Sequence, residues 1–246
     1  MSDKPKFLQK IGYMLYGARF LFVWAFLWLS LICMVAVTPG EHRRRRIARK
    51  LGIYAFHLSG AWPTIIGLHQ LPKNAAIVVA NHASYLDGPL LAAVLPPRFQ
   101  FVIKREISQI KLLSFVLHRT GEHFVDRFDP KRGTSGTRRI LKTATNGASL
   151  AFFPEGTFRL EPGLRRFQNG AFTIAARNNM LLVPLTIRGT RKMLPQGSWL
   201  PRPAQLEIII GTPLDTTENQ DLAIAMEHCR MQILQAMDEP DLLEKK

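Results

Sequence analysis

Short apolar runs alternate with longer amphipathic stretches from about residue 70 onwards. The apolar runs predict strands at Ala76–Ala80, Phe99–Ile103, Ser149–Phe153, Leu181–Ile187 and Leu206–Ile210. The intervening stretches predict helices at Pro89–Val94, Ile110–His118, Thr134–Thr145, Gly170–Asn178 and Leu222–Met237. Apolar strands separated by helices are typical of an α/β fold, so we expect a mixed, largely parallel sheet flanked by helices. The C-terminal "EPDLLEKK" predicts a frayed tail.

The N-terminal part follows a different pattern. Residues 20–37 are eighteen consecutive residues without a charge, preceded by scattered lysines and followed by the basic run "RRRRIARK" at residues 43–50. As a helix this segment is about 27 Å long, close to the ~30 Å hydrocarbon core of a bilayer. We therefore predict membrane attachment, with the basic run near anionic lipid on the cytoplasmic side. A cleaved signal peptide is disfavoured because the segment is long and runs into six basic residues.

These two patterns divide the chain into a membrane-associated helical region, residues 1–70, and a folded domain, residues 71–246. Whether the apolar segment crosses the membrane or folds back as a hairpin stays open. The formal net charge of +15 predicts an anionic partner, which is nucleic acid, an anionic lipid or an acidic carrier protein. The two cysteines, Cys33 and Cys229, indicate neither a disulfide framework nor a cysteine zinc site.

The first candidate chemical site follows the strand predicted at Ala76–Ala80. The sequence continues Asn81-His82, and Asp87 comes five residues after the histidine. Active residues of α/β sheets gather at the carboxyl ends of strands. If the chain turns after His82, Asp87 can orient the imidazole, and His82 can then act as a general base. The alternative is that Ser84 caps the next helix and that His82 and Asp87 are only turn residues.

Two further clusters follow later strands. "FFPEGTFR", residues 152–159, gives a tight turn with a carboxylate and exposed backbone N–H groups after a strand, which suits a hydroxyl or a phosphate ligand. "GEHFVDR", residues 121–127, adds an arginine after a short apolar pair. Pro184 interrupts the apolar run at 181–187, which predicts a sheet edge or a distortion there.

Together and in this order, the clusters resemble the conserved blocks of the glycerolipid acyltransferase family, which includes the 1-acyl-glycerol-3-phosphate acyltransferases. The first block, Asn-His-x-Ser-x-x-Asp, is matched by residues 81–87, and the second by Gly121, Phe124, Val125 and Arg127. The third, Phe-Pro-Glu-Gly-Thr, is matched by residues 153–157, and the fourth by Pro184. Many family members have an arginine directly after the threonine of the third block, whereas this chain has Phe158 and then Arg159.

The resemblance implies a catalytic domain in which His82 deprotonates the acceptor hydroxyl and Asp87 supports the histidine. The hydroxyl then attacks an acyl thioester directly, so Ser84 is not expected to carry an acyl group. Lys104 and Arg127 are candidates to bind the acceptor phosphate, although a solvated surface lysine is the alternative role for Lys104. The resemblance places four further residues at the acceptor site: Glu155, Gly156, Thr157 and Arg159. Structural ion pairs are the alternative roles, for Glu155 with Arg165 or Arg166 and for Arg127 with neighbouring aspartates.

The implied reaction transfers an acyl chain from acyl-CoA or acyl carrier protein to lysophosphatidate, with no cofactor and no metal. Its expected setting is a membrane, a bacterial inner membrane with the catalytic domain on the cytoplasmic side. Basic residues of the domain are then expected to contact anionic headgroups or an acidic carrier: Lys131, Arg132, Arg138, Arg139, Arg165 and Arg166.

Two other functions stay open. The first is acylation of another lysolipid, such as a lysophospholipid or a lyso-ornithine lipid, which the altered third block allows. The second is a membrane-bound lipid-binding protein without catalysis, which would need neither His82 nor Asp87. A nucleic-acid-binding function is disfavoured because the chain carries no reader motif. A serine hydrolase is disfavoured because a Gly-x-Ser-x-Gly elbow is absent.

Overall fold

Seven strands form one sheet at the centre of the computed structural model, which describes residues 7–125, 139–216 and 222–243. The strands are β1 (Thr64–Ile66), β2 (Ala76–Ala80), β3 (Phe99–Lys104), β4 (His123–Val125), β5 (Ser149–Phe152), β6 (Leu181–Arg188) and β7 (Glu207–Ile210). Their order across the sheet is β1-β7-β6-β2-β5-β3-β4. Strands β2 to β6 run parallel, β7 runs antiparallel to β6, and β1 is parallel to β7. The predicted mixed, largely parallel sheet is confirmed.

Helices flank the sheet, as predicted. They are α1 (Phe7–Val37), α2 (Glu41–Leu58), α3 (Asp87–Val94), α4 (Lys111–Thr120), α5 (residues 139–145), α6 (Gly170–Arg177), α7 (Thr190–Met193) and α8 (Leu222–Ala236). The first part of the helix predicted at 134–145 lies outside the described residues. Each of the five predicted strands is present to within one residue at either end. β1 and β4 were not predicted because three residues are too few to show an apolar period.

The core lies on both faces of the sheet. Strand β2 is fully buried, and its residues alternate between two apolar clusters. Val78 and Ala80 face the cluster that contains residues of α2 and α3, whereas Ile77 and Val79 face the cluster that contains residues of α6 and α8. This burial on both faces explains why β2 is continuously apolar. The polar residues that follow β2 therefore lie beyond the end of the strand.

Pro184 does not lie at a sheet edge, but the predicted distortion is present beside it. Leu185 pairs with Ile210, whereas Leu182 forms an isolated bridge with Leu214, so the partner segment carries one extra residue between these two pairs. Pro184 lies in β6, between β2 and β7, and is paired in register with Val79. The β6–β7 ladder pairs Leu185 with Ile210, and beyond it the Pro184 carbonyl accepts the Gly211 N–H at 2.9 Å. Because β7 ends at Ile210, the missing N–H of the proline costs no ladder hydrogen bond.

The N-terminal helix packs along the domain. One side of α1 buries Phe20, Leu31 and Val35, while Phe22 and Phe26 on the opposite side are 75% and 64% exposed. Within the described part of the chain, α1 is the one helix long and apolar enough to be a candidate membrane span, over Gln9–Val37. The division of the chain at residue 70 stays a prediction.

Half of the basic run has a structural role that the sequence analysis did not predict. Arg44 donates to the Arg119 carbonyl at 2.8 Å, and Arg45 donates to the Thr120 carbonyl at 2.6 Å, both at the C-terminal end of α4. Arg49 donates to the Leu95 carbonyl at 3.0 Å, at the end of α3. Cations are favourable at helix C-termini because the last carbonyls have no partner within the helix. The other basic residues of the run are exposed, and their contact with lipid stays a prediction: Arg43, Arg46 and Lys50.

The prediction of a frayed C-terminal tail is wrong for residues 239–243. Leu164, which is fully buried, forms an isolated parallel bridge with Asp241. The backbone of this terminal segment therefore has a partner within the domain.

Candidate active site

The candidate site begins at the end of β2. There the side chain of Asn81, rather than the backbone, makes the next pair of hydrogen bonds to β6. Asn81 is buried, and its amide nitrogen donates to the Ile187 carbonyl of β6 at 2.9 Å. Its amide oxygen accepts the Ile187 N–H at 2.7 Å. The side chain thus continues the β2–β6 pairing, and the backbone is free to turn at His82.

Asp87 fixes that turn from the first residue of α3. Its carboxylate is fully buried, and the single oxygen Oδ2 accepts hydrogen bonds from three donors. These are the His82 Nδ1–H at 2.8 Å, the Ala83 N–H at 2.6 Å and the Ser84 N–H at 2.8 Å. The N-terminal position in the helix also favours a negative charge. His82 and Asp87 are thus brought together as predicted, and Nε2 is the ring nitrogen left to exchange a proton.

Aromatic rings surround the imidazole. Phe153 stacks on His82 with ring centroids 4.2 Å apart, and Phe158 meets it edge-on at 4.6 Å. Phe158 also contacts Tyr85 at 4.8 Å. The His82 side chain is 18% exposed, so one side of the ring remains accessible. Sequence reasoning missed these contacts, although Phe158 had stood out as the residue that replaces the family's arginine.

Glu155 joins two loops of the site. The side chain is 7% exposed, and its two oxygens accept the His82 N–H at 2.7 Å and the Arg165 N–H at 3.0 Å. It therefore holds the backbone after β2 to the chain beyond β5. Its predicted contact with the acceptor stays a prediction.

Glu155 should also make stability depend on pH. Burial raises the pKa of its carboxyl from 4.5 to about 7, and the two backbone N–H groups only partly oppose this shift. Between these values the folded state binds more protons than the unfolded state, so stability falls as pH rises from about 4.5 to about 7, by on the order of 3 kcal/mol. Glu155→Gln should remove this loss, and thermal unfolding of both proteins at several pH values checks it. Parallel pH curves would contradict the shift.

Ser84 has a structural role in the described site. Its hydroxyl donates to the Leu194 carbonyl at 2.7 Å, and its oxygen accepts the Leu86 N–H at 3.2 Å. The helix α3 begins at Asp87 without a side-chain cap, so the interpretation of Ser84 as a helix cap is wrong.

We expect Ser84→Ala to lower the free energy of unfolding by about 1–2 kcal/mol, because the part-buried Leu194 carbonyl and the buried Leu86 N–H lose their partner. The rate of acyl transfer per folded molecule should stay within about threefold, since no covalent step uses this hydroxyl. Denaturant unfolding and initial rates measure the two effects. Intact-mass detection of an acyl group on Ser84 during turnover would refute this assignment.

The other predicted binding residues lie around the same edge of the sheet. Lys104 is the last residue of β3, where it pairs in register with Val125 of β4. Gly156 adopts φ +80°, the left-handed conformation that favours glycine, in the turn before the exposed Thr157. Arg159 is also exposed.

Part of the predicted set lies outside the described residues: Arg127, Lys131, Arg132 and Arg138. Within residues 7–125, 139–216 and 222–243, the structure contains no group of three or more histidine, cysteine, aspartate or glutamate side chains that would hold a metal. Both cysteines are free thiols, Cys33 exposed and Cys229 buried.

Comparison with known proteins relates this geometry to one family. The family model Acyltransferase matches residues 63–188. This range includes strands β1 to β6 and, among the site residues, His82, Asp87 and Glu155. The chloroplastic 1-acyl-sn-glycerol-3-phosphate acyltransferase LPAT1 of Arabidopsis thaliana is 31% identical over 201 residues, which is 80% of this chain and 54% of that protein. A protein with the same enzyme name from Chlamydomonas reinhardtii is 30% identical over 213 residues, 81% of this chain and 64% of that protein. The chain thus spans less than two thirds of the length of these relatives.

The fold is also that of a solved structure. The crystal structure of the 1-acyl-sn-glycerophosphate (LPA) acyltransferase PlsC from Thermotoga maritima superimposes with a TM-score of 0.77 at 22% identity. The match covers 93% of this chain and 95% of that one, so it includes the N-terminal helices as well as the sheet.

Proposed function

The chain belongs to the Acyltransferase family, and from this we propose that it transfers an acyl chain from an acyl thioester to the free hydroxyl of lysophosphatidate, forming phosphatidate. The observation that carries the proposal is the 2.8 Å hydrogen bond from His82 Nδ1 to the fully buried Asp87 carboxylate. This bond holds the imidazole in the tautomer whose Nε2 is the base. The names of the two relatives support lysophosphatidate as the acceptor.

In the proposed mechanism, His82 Nε2 takes the proton of the acceptor hydroxyl as its oxygen attacks the thioester carbonyl. The Asp87 carboxylate stabilises the imidazolium that forms. The tetrahedral intermediate then collapses, the carbon–sulfur bond breaks, and the thiolate leaves with the proton that His82 returns. An ester bond replaces the thioester bond, and no enzyme nucleophile or cofactor takes part. The donor is coenzyme A or an acyl carrier protein in this proposal.

The acceptor phosphate needs cationic partners near His82. Lys104 and Arg159 are the described candidates, and Arg127 is a third candidate outside the described residues. An arginine binds a phosphate through two parallel hydrogen bonds, whereas a lysine contributes a point charge.

A second candidate acceptor is another lysolipid, such as a lysophospholipid or a lyso-ornithine lipid. The contact of Phe158 with the edge of His82 favours it, because an apolar ring occupies the sequence position where many family members have an arginine. This change removes one phosphate-binding group next to the histidine.

We also propose that α1 is embedded in one leaflet and does not cross the bilayer. Contacts with the domain extend from Gly17, next to Leu200, to Val35, whose carbonyl accepts a hydrogen bond from Arg119 at 3.1 Å. This interval is about 27 Å of helix, nearly the ~30 Å thickness of the hydrocarbon core. A helix packed on a polar domain over that length has no room to span. The exposed apolar face would insert into lipid beside the site.

Cysteine labelling tests this topology. In sealed vesicles, Lys10→Cys and Thr38→Cys, each in a Cys33→Ser background, should react with an impermeant maleimide from the same side. Reaction from opposite sides would mean that α1 crosses. A bacterial inner membrane with the domain on the cytoplasmic side stays a prediction.

An acceptor panel tests the proposed function. The purified chain, in anionic vesicles, is given labelled acyl-CoA or acyl carrier protein together with lysophosphatidate, lysophosphatidylglycerol or lyso-ornithine lipid. Phosphatidate formation at the highest rate supports the proposal. Activity on the other lysolipids alone would favour the second candidate, and lipid binding without transfer to any acceptor would favour the non-enzymatic alternative.

A further inference from the structure

The C-terminal segment after α8 is hydrogen-bonded to a loop of the candidate site. The Leu164 N–H donates to the Pro240 carbonyl at 2.9 Å, and the Leu242 N–H donates to the Leu164 carbonyl at 3.1 Å. We call residues 239–242 the C-terminal strap and residues 158–165 the site loop. The strap thus pairs with the site loop as a short strand would.

Two arginine–carboxylate pairs hold the strap. Arg191 Nε donates to Glu239 Oε1 at 2.7 Å, and the other Glu239 oxygen accepts the Gly163 N–H of the site loop at 2.8 Å. Arg230, which is 3% exposed, donates from both terminal nitrogens to the Asp241 carboxylate, one of them at 2.8 Å. A two-bonded guanidinium–carboxylate pair fixes orientation as well as distance. The hydrogen bond with Arg230 also lowers the pKa of Asp241, so the pair stays ionised at neutral pH.

The site loop is connected to His82 at both of its ends. At its start, Phe158 meets the imidazole edge-on at 4.6 Å. At its end, the Arg165 N–H donates to Glu155, whose other oxygen accepts the His82 N–H. Between these ends, Arg191 also donates to the carbonyls of Arg159 and Leu160. The middle of the loop is therefore held by the strap and its arginines, while its start contacts the histidine and its end is linked to the histidine through Glu155.

We propose that the C-terminal strap is a positioning element for the reaction, which keeps the site loop closed over His82. Glu239 is its central positioning residue because it bonds to the loop and to Arg191 at once. The role in catalysis rests on the proposed function, whereas the closure of the loop over His82 does not. A segment more than 150 residues away in sequence would thereby control access to the catalytic base.

The accessibility of His82 tests the closure directly. Diethyl pyrocarbonate modifies accessible imidazoles, and mass spectrometry gives the rate at each histidine of the full chain in vesicles. Deletion of residues 239–246 should raise the rate at His82 by about tenfold, as expected when a local segment opens. Deletion of 244–246 alone is the matched control and should leave it unchanged. The buried His123, 7% exposed in β4, reports on general loosening and should keep its rate.

Point variants keep the test decisive if the deletion does not fold. Glu239→Ala should raise the His82 rate several-fold and lower kcat of acyl transfer by about tenfold, with KM for the acyl donor unchanged within about twofold. Glu239→Gln keeps an acceptor oxygen and should be affected less. A purely structural role would change neither the His82 rate nor kcat per folded molecule.

The possible results distinguish a failure of the strap proposal from a failure of the proposed function. The strap proposal would be overturned if His82 were modified at the same rate in the unaltered chain, in the deletion of residues 239–246 and in Glu239→Ala. Parallel increases at His82 and His123 in Glu239→Ala would overturn it too, because they indicate loosening of the whole domain rather than opening of the site loop. If the unaltered chain acylates no lysolipid but strap loss still exposes His82, the closure is supported and the proposed function fails.

Discussion

His82→Ala is expected to reduce the rate of acyl transfer to lysophosphatidate by at least about a hundredfold, because the acceptor hydroxyl loses its general base. The hydroxyl of a glycerol backbone is a weak nucleophile at neutral pH, so positioning alone cannot replace the proton acceptor. The expected loss lies in kcat rather than in KM, since Nε2 acts as the proton moves. Initial rates with a labelled acyl thioester in anionic vesicles measure it.

A histidine outside the site provides the matched control. His69 is exposed in the turn after β1, three strands away from β2 in the sheet. His69→Ala should retain nearly the full rate. If His82→Ala retained more than about a tenth of the activity while remaining folded, the proposed general-base mechanism would be wrong.

Asp87→Asn should lower the rate by a similar factor, roughly two orders of magnitude, while leaving the fold nearly intact. In the native chain, Asp87 Oδ2 accepts hydrogen bonds from His82 Nδ1 and from the backbone N–H groups of Ala83 and Ser84. The amide oxygen of the asparagine can accept the same three hydrogen bonds. What disappears is the negative charge that stabilises the imidazolium. The thermal midpoint should therefore change little, and the loss should again be in kcat.

Asp87→Ala separates the charge from the hydrogen bonds. This variant leaves two buried backbone N–H groups without a partner and should lower the free energy of unfolding by about 2–4 kcal/mol. Asn and Ala variants with equal stability would contradict the role of Asp87 in fixing the turn. An Asn variant as active as the native chain would show that the charge does not support catalysis.

The histidine–aspartate pair could be predicted from the sequence because its two residues are close together in the chain. His82 and Asp87 are five residues apart, and a single turn after a buried strand brings them together. Glu155 was found by its motif, but its two backbone partners were not. The Arg165 contact matches the predicted neighbour but involves the backbone N–H rather than the guanidinium. Side-chain type indicates what a residue can bind, and only packing decides which donor reaches it.

The basic residues show the limit of charge counting. The run at residues 43–50 predicted contact with lipid, yet Arg44, Arg45 and Arg49 bind carbonyls at the ends of α3 and α4. Nothing in the local pattern separates these arginines from the exposed ones. The difference arises because α2 turns one face towards the domain.

The amino-acid sequence by itself determined the class of sheet, the five longer strands, the apolar N-terminal helix and the histidine–aspartate pair. These features depend on the local period of apolar residues and on short-range spacing, which can be read along the chain. The tertiary structure alone decided the packing of α1 along the domain, the contact of Phe158 with His82 and the return of the C-terminal strap to the site loop. Each of these joins residues far apart in sequence, and such contacts are selected by the shape and burial of the whole fold rather than by any local pattern.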